Sequence, residues 1–489
     1  MNIRIMITGF LGMLIMMPFS SNAFWDYAWK KEIPPHERGA GALSHSVAID
    51  ATDRPHIVYI ARSKSGELSL RYTMREGTSW ITELVDPACG DSTSRIVIST
   101  SGSLHVCYQG KDLFSQQTLL MYAVHDANQW NIRVVGSGGS GCSIGLDPEG
   151  HPHISHIADN GELKLARYDG AQWTSEDVAI GANPVEPTSM AIAPSGEVHL
   201  AFVSDTDPPA ISWARNGSGS WVSSFIDNGD QIGLVLDSIG APRVVYRPNT
   251  GVSVIYAQFD GLQWIKFLIL KYTSSLSTSK QTSYSPALAI DSKDAVHISY
   301  GHNWNFSGWP GSGWTGDLKY VKYDGVTWES SNTIRTNYDG FRFVSSIALD
   351  SFDFPRVSYN FPRLHTPLRF AYFVTPELSG EWSRFSVKDK NGLYSLKGSL
   401  RIINSGEGYA ETVQVNFFLS DDMNLSIEDV PVGYGRKITN LKAGKRKTVK
   451  LSWDSTQNPS GKYILAVIDP EGMNLERSKT DNVVRQMIP

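Results

Sequence analysis

The stretch Ser46–Tyr59, SVAIDATDRPHIVY, decides the fold because the chain repeats it. A run of small and apolar residues ends on Asp50, a turn follows, and His56 precedes an aromatic residue by three positions. The same pair returns as His105/Tyr108, His153/His156, His199/Phe202, Arg243/Tyr246, His297/Tyr300 and Arg356/Tyr359, usually with an Asp six residues before the base. Self-similarity at a period of roughly 45 to 60 residues is the mark of a propeller, a solenoid or an array.

Working outward, each repeat holds four short runs rich in Val, Ile and Tyr, separated by Gly, Pro, Asp and Asn, which are strand and turn signals. In repeat 1 they begin near Ser46, Pro55, Leu68 and Trp80. A third-strand residue precedes a Trp by eight positions at Tyr72/Trp80, Tyr122/Trp130, Leu165/Trp173, Trp213/Trp221, Tyr256/Trp264 and Tyr320/Trp328. In the seventh repeat the best pair is Tyr372 and Trp382, ten apart. First strands are small on both faces, which suits crowding about an axis, and fourth strands are half polar, which suits a rim. Four-stranded sheets set radially make a β-propeller. The expectation is an all-β protein with a seven-bladed propeller from about residue 40 to 380.

The ring of His and Arg invites a metal or proton-transfer reading. A side chain that recurs at one offset in every repeat answers a need that recurs, such as a hydrogen bond to the neighbouring turn or to the Asp six residues earlier. The ring is therefore read as structural, and so are the Trp residues, as wedges of the outer strands. No metal site and no cofactor is expected.

Residues 1–23 read as a signal peptide, with Arg4, an apolar stretch and the small residues Ser21 to Ala23. Residues 24–39 form a lead-in, and no other run is long enough to cross a membrane as a helix. The mature chain is expected to be exported, to the periplasm or beyond it. Three cysteines in such a chain permit one disulfide. Cys107 takes a small buried strand position, so Cys89 and Cys142, which open neighbouring repeats, are the expected pair, the alternative being that all three thiols stay free. The net charge of −5 gives no footprint for nucleic acid. The cluster Lys442, Lys445, Arg446, Lys447 and Lys450 reads as a solvated turn and edge strand, and the acidic run 420–429 as a surface turn.

The turns Asp169–Trp173, Asp260–Trp264 and Asp324–Trp328 resemble a contracted Asp-box of the kind found in sialidase-like propellers, a structural motif away from any active site. The last hundred residues carry a more specific resemblance. Gly398–Gly406, Val415–Asp421, Leu441–Gly444, Gly461–Asp469 and the close Glu476–Asn482 are similar, in order, to the CARDB domain, a bacterial adhesion-related module. The resemblance implies a noncatalytic immunoglobulin-like sandwich over 385–489.

Function is sought where one repeat departs from the rest. Repeat 6 spends 20 residues from Tyr300 to Tyr320 where the others spend 9 to 14. The added segment carries His302, Trp304, Trp309 and Trp314 among Gly and Ser. In antiparallel sheets the connection from strand 2 to 3 emerges beside the one leading into strand 1, which also places Tyr338 and Arg342 nearby. These six residues are the candidate ligand site, since loops on rigid scaffolds carry binding. The expected function is noncatalytic capture of a glycan or protein at the cell envelope. The alternative is a propeller-type glycan hydrolase or lyase, which would need two carboxyl groups across a pocket. Oligomeric state and catalytic residues are not legible.

Overall fold

The computed structural model describes residues 14–15, 28–37, 40–112, 115, 117–126, 129–179, 181–183, 186–217, 219–249, 254–269, 281–308, 311–329, 332–337, 343–360, 366–433 and 435–489. Among them there are strands and turns and no helix. Contacts divide the chain into two units, one of Met1–Asp26 with Lys31–Tyr372, the other of Tyr27–Lys30 with Phe373–Pro489.

In the first unit the repeats become antiparallel strands paired in chain order, except at the outer edge of repeat 7. Repeat 1 is Gly41–Ile49, Pro55–Arg62, Leu68–Glu76 and Ser79–Asp86. Repeats 2 and 3 begin with Cys89–Ile98 and Ser140–Leu146 and are built in the same way. Repeats 4 and 5 share one long strand, Val222–Leu236, which closes the first and opens the second. Leu14–Ile15 runs parallel to the outer edge of repeat 5 at Lys266 and Phe267. Repeat 6 opens with Gln281–Ile290. Repeat 7 has Val344–Leu349, Pro355–Asn360 and Arg369–Val374, and its fourth strand is Ala28–Glu32, from far back in the chain.

That last pairing corrects the sequence reading at the end of repeat 7. Trp382 does not close that repeat; it lies in Leu378–Lys390, which pairs with Leu393–Asn404 in the second unit. By contacts the first unit ends at Tyr372, and Ala28–Glu32 of the lead-in is a strand beside Arg369–Val374.

Successive first strands lie side by side, and Val344–Leu349 of repeat 7 returns to Gly41–Ile49 of repeat 1. Two sets of contacts join the sheets. On the outside, Trp130, Trp173, Trp264 and Trp328 stand edge-on against Tyr72, Tyr122, Trp213 and Tyr256 of the preceding repeat, with centroids 5.3 to 5.8 Å apart. Trp80 meets Phe370 of repeat 7 in the same way at 5.4 Å. Edge-to-face pairs add about 0.5–1.5 kcal/mol beyond the area they bury. On the inside, a first-strand hydroxyl accepts from the backbone N–H of the next first strand: Ser346 from Val47, Ser46 from Ile96, Ser143 from Met190 and Ser189 from Leu234, at 2.9 to 3.4 Å.

The base of each repeat is held within its own sheet. His56 and His297 reach Asp50 and Asp291, six residues earlier, at 3.1 and 3.2 Å, and the hydroxyls of Tyr72 and Tyr320 at 2.6 and 2.8 Å. Arg243 and Arg356 donate to Asp237 and Asp350 at 2.5 Å. These Asp carboxylates also cap the intervening turn, as Asp50 does for the N–H groups of Thr52 and Arg54. The structural role expected of this ring is the one the geometry gives it.

The disulfide expected between Cys89 and Cys142 is not formed. All three cysteines are buried free thiols. A bulge between Cys89 and Ser94 carries Cys89 to a position opposite Gly110, into the core between repeats 1 and 2, where burial pushes its thiol up to about 12. Cys142 instead meets Cys107, sharing a cluster with Leu120 and Ile154.

The second unit packs Leu378–Lys390, Leu393–Asn404 and Arg446–Ser455 as one sheet, and a second sheet built on Ala410–Ser420 and Tyr463–Ile468. Its core includes Leu396, Leu400, Val413, Phe417 and Ile464. Arg446–Ser455 is an edge strand, which places the basic cluster where Lys discourages sheet-to-sheet pairing. In the acidic run, Asp422 and Asp429 cap turn N–H groups, so it is a surface turn. The close of the chain is ordered by buried Glu476, which accepts from Leu378 N–H at 2.7 Å and Asn482 at 2.9 Å.

Glu32 is where the ends of the repeat array meet. Its carboxylate accepts from Arg75 and Trp80 of repeat 1 and from Tyr372 of repeat 7, all at 2.9 to 3.0 Å. Removing a shared acceptor leaves several half-buried donors unpaired. Glu32→Ala is expected to lower the unfolding free energy of the repeat unit by about 2 kcal/mol in urea denaturation. An unchanged midpoint would mean that this junction contributes nothing to closure.

Candidate functional site

The first strands surround a cavity of about 590 Å³. Its walls are the N-terminal parts of these strands in repeats 1, 2, 4, 5, 6 and 7, together with Arg62 from the end of a second strand. Bulges create the space. The first strands lose register between Ala42 and His45, Cys89 and Ser94, Ser140 and Ser143, Asp230 and Gly233, and Tyr284 and Ala287. An extra residue bends a strand away from its partners, and such bulges gather at rims and binding sites. At two of them a residue other than Gly takes the left-handed conformation, Gln231 with φ 54° and Ser285 with φ 43°. Each costs on the order of 1 kcal/mol, and both line the cavity. A hydrogen bond from Ser285 N–H to Gln231 Oε1 at 2.6 Å joins them.

One level of the wall shows how this site departs from the repeat. The positions facing the second strand two residues beyond the His or Arg are Ser46, Arg95, Ser143, Ser189, Gly233, Ala287 and Ser346. Four are the bridging serines. At Gly233 a Cβ would lie 2.7 Å from Leu288 Cδ2, so a serine there would require the Leu288 side chain to shift. In repeat 2 the position is Arg95, a cation at the wall of the cavity. A comparable exchange stands across from it. Glu186 Oε2 and not a serine accepts from Gln231 N–H at 3.3 Å.

The charged wall groups are Arg62, Asp91, Arg95 and Glu186, with His45 the one imidazole among them. Burial, reinforced by Arg95, holds His45 down to about 4, so it is neutral at physiological pH, and its Nδ1 lies 2.9 Å from Ser358 Oγ. Burial and the nearby Asp230 carboxylate push Glu186 up to about 7, against the opposing influence of Gln231 N–H and Arg247. Asp230 is itself ion-paired with Arg247, whose Nε donates to it at 2.6 Å. The cavity thus has a cationic side and an acid that changes charge near neutrality.

The residues singled out in the sequence lie beside this cavity and not in its wall. The stretch read as a loop is a hairpin. Val296–Gly308 and Gly311–Tyr323 pair without interruption as far as Gly308 and Gly311. His302 is buried, opposite Asp317 and Ser283 in the ladder, and Ser285, two residues on, lines the cavity. The hairpin therefore extends repeat 6 at the end where the cavity opens. Trp304 and Trp314 lie in its paired strands, next to each other in register. Trp309, Tyr338 and Arg342 lie outside the described residues. Arg95 and Glu186 went unnoticed in the sequence, although Arg95 faces Cys107, whose place in the repeat was legible.

Glu186 makes stability depend on pH. Its folded pKa lies above its unfolded value, so its contribution is full below about 4.5 and lost as pH rises through about 7. Glu186→Gln is expected to flatten the fall in unfolding free energy of the repeat unit between pH 5 and 8 by on the order of 2 kcal/mol. A variant whose pH profile parallels that of the parent would contradict this environment for Glu186.

Residues 386–486, within the second unit, match the CARDB family model and form a CARDB domain. No curated protein matches the chain. Among solved structures, an ulvan lyase of polysaccharide lyase family PL25 is similar, at 10% identity and a TM-score of 0.47 over 69% of this chain and 95% of that one. A mutant of AofleA from Arthrobotrys oligospora is similar at 11% identity, with a TM-score of 0.42 over 64% of this chain and 91% of that one. The Aleuria aurantia lectin is similar at 12% identity and a TM-score of 0.36, over 57% of this chain and 94% of that one. What those proteins bind or cleave is a property of those proteins.

Proposed function

We propose that repeats 1 to 7 form a seven-bladed propeller, completed by Ala28–Glu32, and that the chain is an exported binding protein. It captures a glycan or a protein at the cell envelope on the propeller face that carries the cavity and the repeat 6 hairpin. The CARDB domain serves as spacer or adhesion module. The observation that carries this reading is the coincidence of two departures from the repeat at one end: the bulged, charge-lined cavity and the lengthened hairpin. Cavities of a few hundred Å³ with a few placed polar groups are where small ligands bind. Export, to the periplasm or beyond, rests on the signal-like residues 1–23 and on the CARDB domain. No helix among the described residues is long and apolar enough to cross a membrane.

A second reading, a glycan-processing enzyme, is favoured by one observation. An acid poised near pH 7 beside a second carboxylate is the pattern by which enzymes separate proton donor from base.

A glycan array, followed by turnover assays on the best binder, separates the two. The binding reading expects retention without bond cleavage. It also expects the triple change Trp304→Ala, Trp309→Ala and Trp314→Ala to leave the unfolding transition in place and cut capture by about tenfold or more, since stacking aromatics contribute about a kcal/mol each. Cleavage that Glu186→Gln abolishes would establish the enzyme instead.

A further inference from the structure

Arg62 and Arg95 differ from the other arginines near the first strands. Arg75, Arg243, Arg247 and Arg356 each have a carboxylate partner. Among the described residues, Arg62 and Arg95 have no acidic side chain within ion-pair distance. Arg95 donates only to the carbonyl of its neighbour Ser94, at 3.2 Å, and Arg62 Nε is buried without a hydrogen bond. Both are half-buried and both line the cavity. A guanidinium withdrawn from water without a counter-charge is costly, and its planar fork matches an oxyanion. Nor does folding require a cation there, because the same position in four other repeats is a serine that bridges to its neighbour.

The rest of the wall has the same preference. Ser46, Ser189 and Ser346 accept from backbone N–H groups, which leaves each hydroxyl hydrogen free to donate. Among the described residues, the lining has no Phe, Tyr or Trp to stack on an apolar ring. At about 590 Å³ the space is far larger than an inorganic anion needs and is on the scale of small organic ligands. The occupant it fits is rich in oxygen, sugar-sized and negatively charged.

We propose that the cavity binds an acidic saccharide, one carrying a carboxylate or a sulfate, and that Arg95 and Arg62 bind its oxyanion. This deepens the binding reading above and rests on it. Arg95 supplies its contact from a first strand and Arg62 from the end of a second strand. Glu186 and the exposed Asp91 complete the charged lining, and Asp91 disfavours an anion at its own position. Charge-assisted hydrogen bonds to a desolvated guanidinium are the stronger class, so the anionic group carries most of the selectivity.

The test is calorimetric titration of the full mature chain with four probes: an oligogalacturonate, a sulfated galacto-oligosaccharide, a neutral malto-oligosaccharide and inorganic sulfate. Binding of the carboxylated or the sulfated probe, with the neutral one weaker by about tenfold or more, is the expected result, and the tighter of the two identifies the oxyanion. Arg95→Ser installs the residue of the other repeats and is expected to keep the unfolding midpoint while weakening the acidic probe by about ten- to a hundredfold. Should that variant unfold early, Arg62→Gln is judged by the same criterion. Equal binding of neutral and acidic probes, equal binding by parent and variant, or inorganic sulfate binding as tightly as the saccharides would each overturn the proposal. The first two leave the broader binding reading standing if the hairpin variant still loses capture. Binding of none of the saccharides, by a protein that also captures nothing on the array, overturns both.

Discussion

The repeat unit depends on a problem that its first strands share. They lie beside one another from repeat to repeat, yet each belongs to its own sheet, so they cannot satisfy one another through a backbone ladder. A hydroxyl on one strand accepting from an N–H on the next solves this at Ser346, Ser46, Ser143 and Ser189. The side chain must be short enough to sit near the axis and polar enough to accept, which is why these strands are small on both faces. Larger apolar bulk goes outside, where Trp80, Trp130, Trp173, Trp264 and Trp328 each wedge against an aromatic of the preceding repeat. Where repeat 7 meets 1, 1 meets 2 and 4 meets 5, inner hydrogen bonds and outer ring contacts hold the same neighbours.

The candidate site lies beside these bridges, where some first strands depart from the pattern. Bulges lift the opening ends of the first strands out of register, so bridging gives way to space. Arg95 replaces a bridging serine, and Glu186 and Gln231 take over the bridging role with longer, more polar groups. The charged cavity and the left-handed Gln231 and Ser285 that line it are costs to stability at this end. The other end, where Asp50, Asp237, Asp291 and Asp350 cap their turns and hold the His or Arg, keeps to the pattern.

Local regularity was legible in the sequence and long-range closure was not. The step of six from Asp50 to His56 reappears as a hydrogen bond, and the two residues of the step of eight reappear in ring contacts with neighbouring repeats, Tyr72 with Trp130 and Trp80 with Phe370. Trp382 misled because a Trp near the expected spacing looked like the missing outer strand, whereas the edge of repeat 7 pairs with Ala28–Glu32, more than 300 residues away in the chain. Cys89 misled for a different reason. A bulge changes height along a strand, and periodicity alone does not reveal it. Arg95 could have been found, since its partner position Cys107 had been aligned across the repeats; comparing loops drew attention away from strand interiors. The CARDB domain was legible because its buried polar pair, Glu476 and Asn482, falls within one short motif.

The account stands or falls on whether ligand reaches the cavity between the first strands. Hydrogen–deuterium exchange of the mature chain, with and without the saccharide it retains most strongly, tests this directly. Protection concentrated in 91–95, 186–189 and 231–234 is the predicted result. Protection confined to the CARDB strands, with those three segments unchanged, would contradict it.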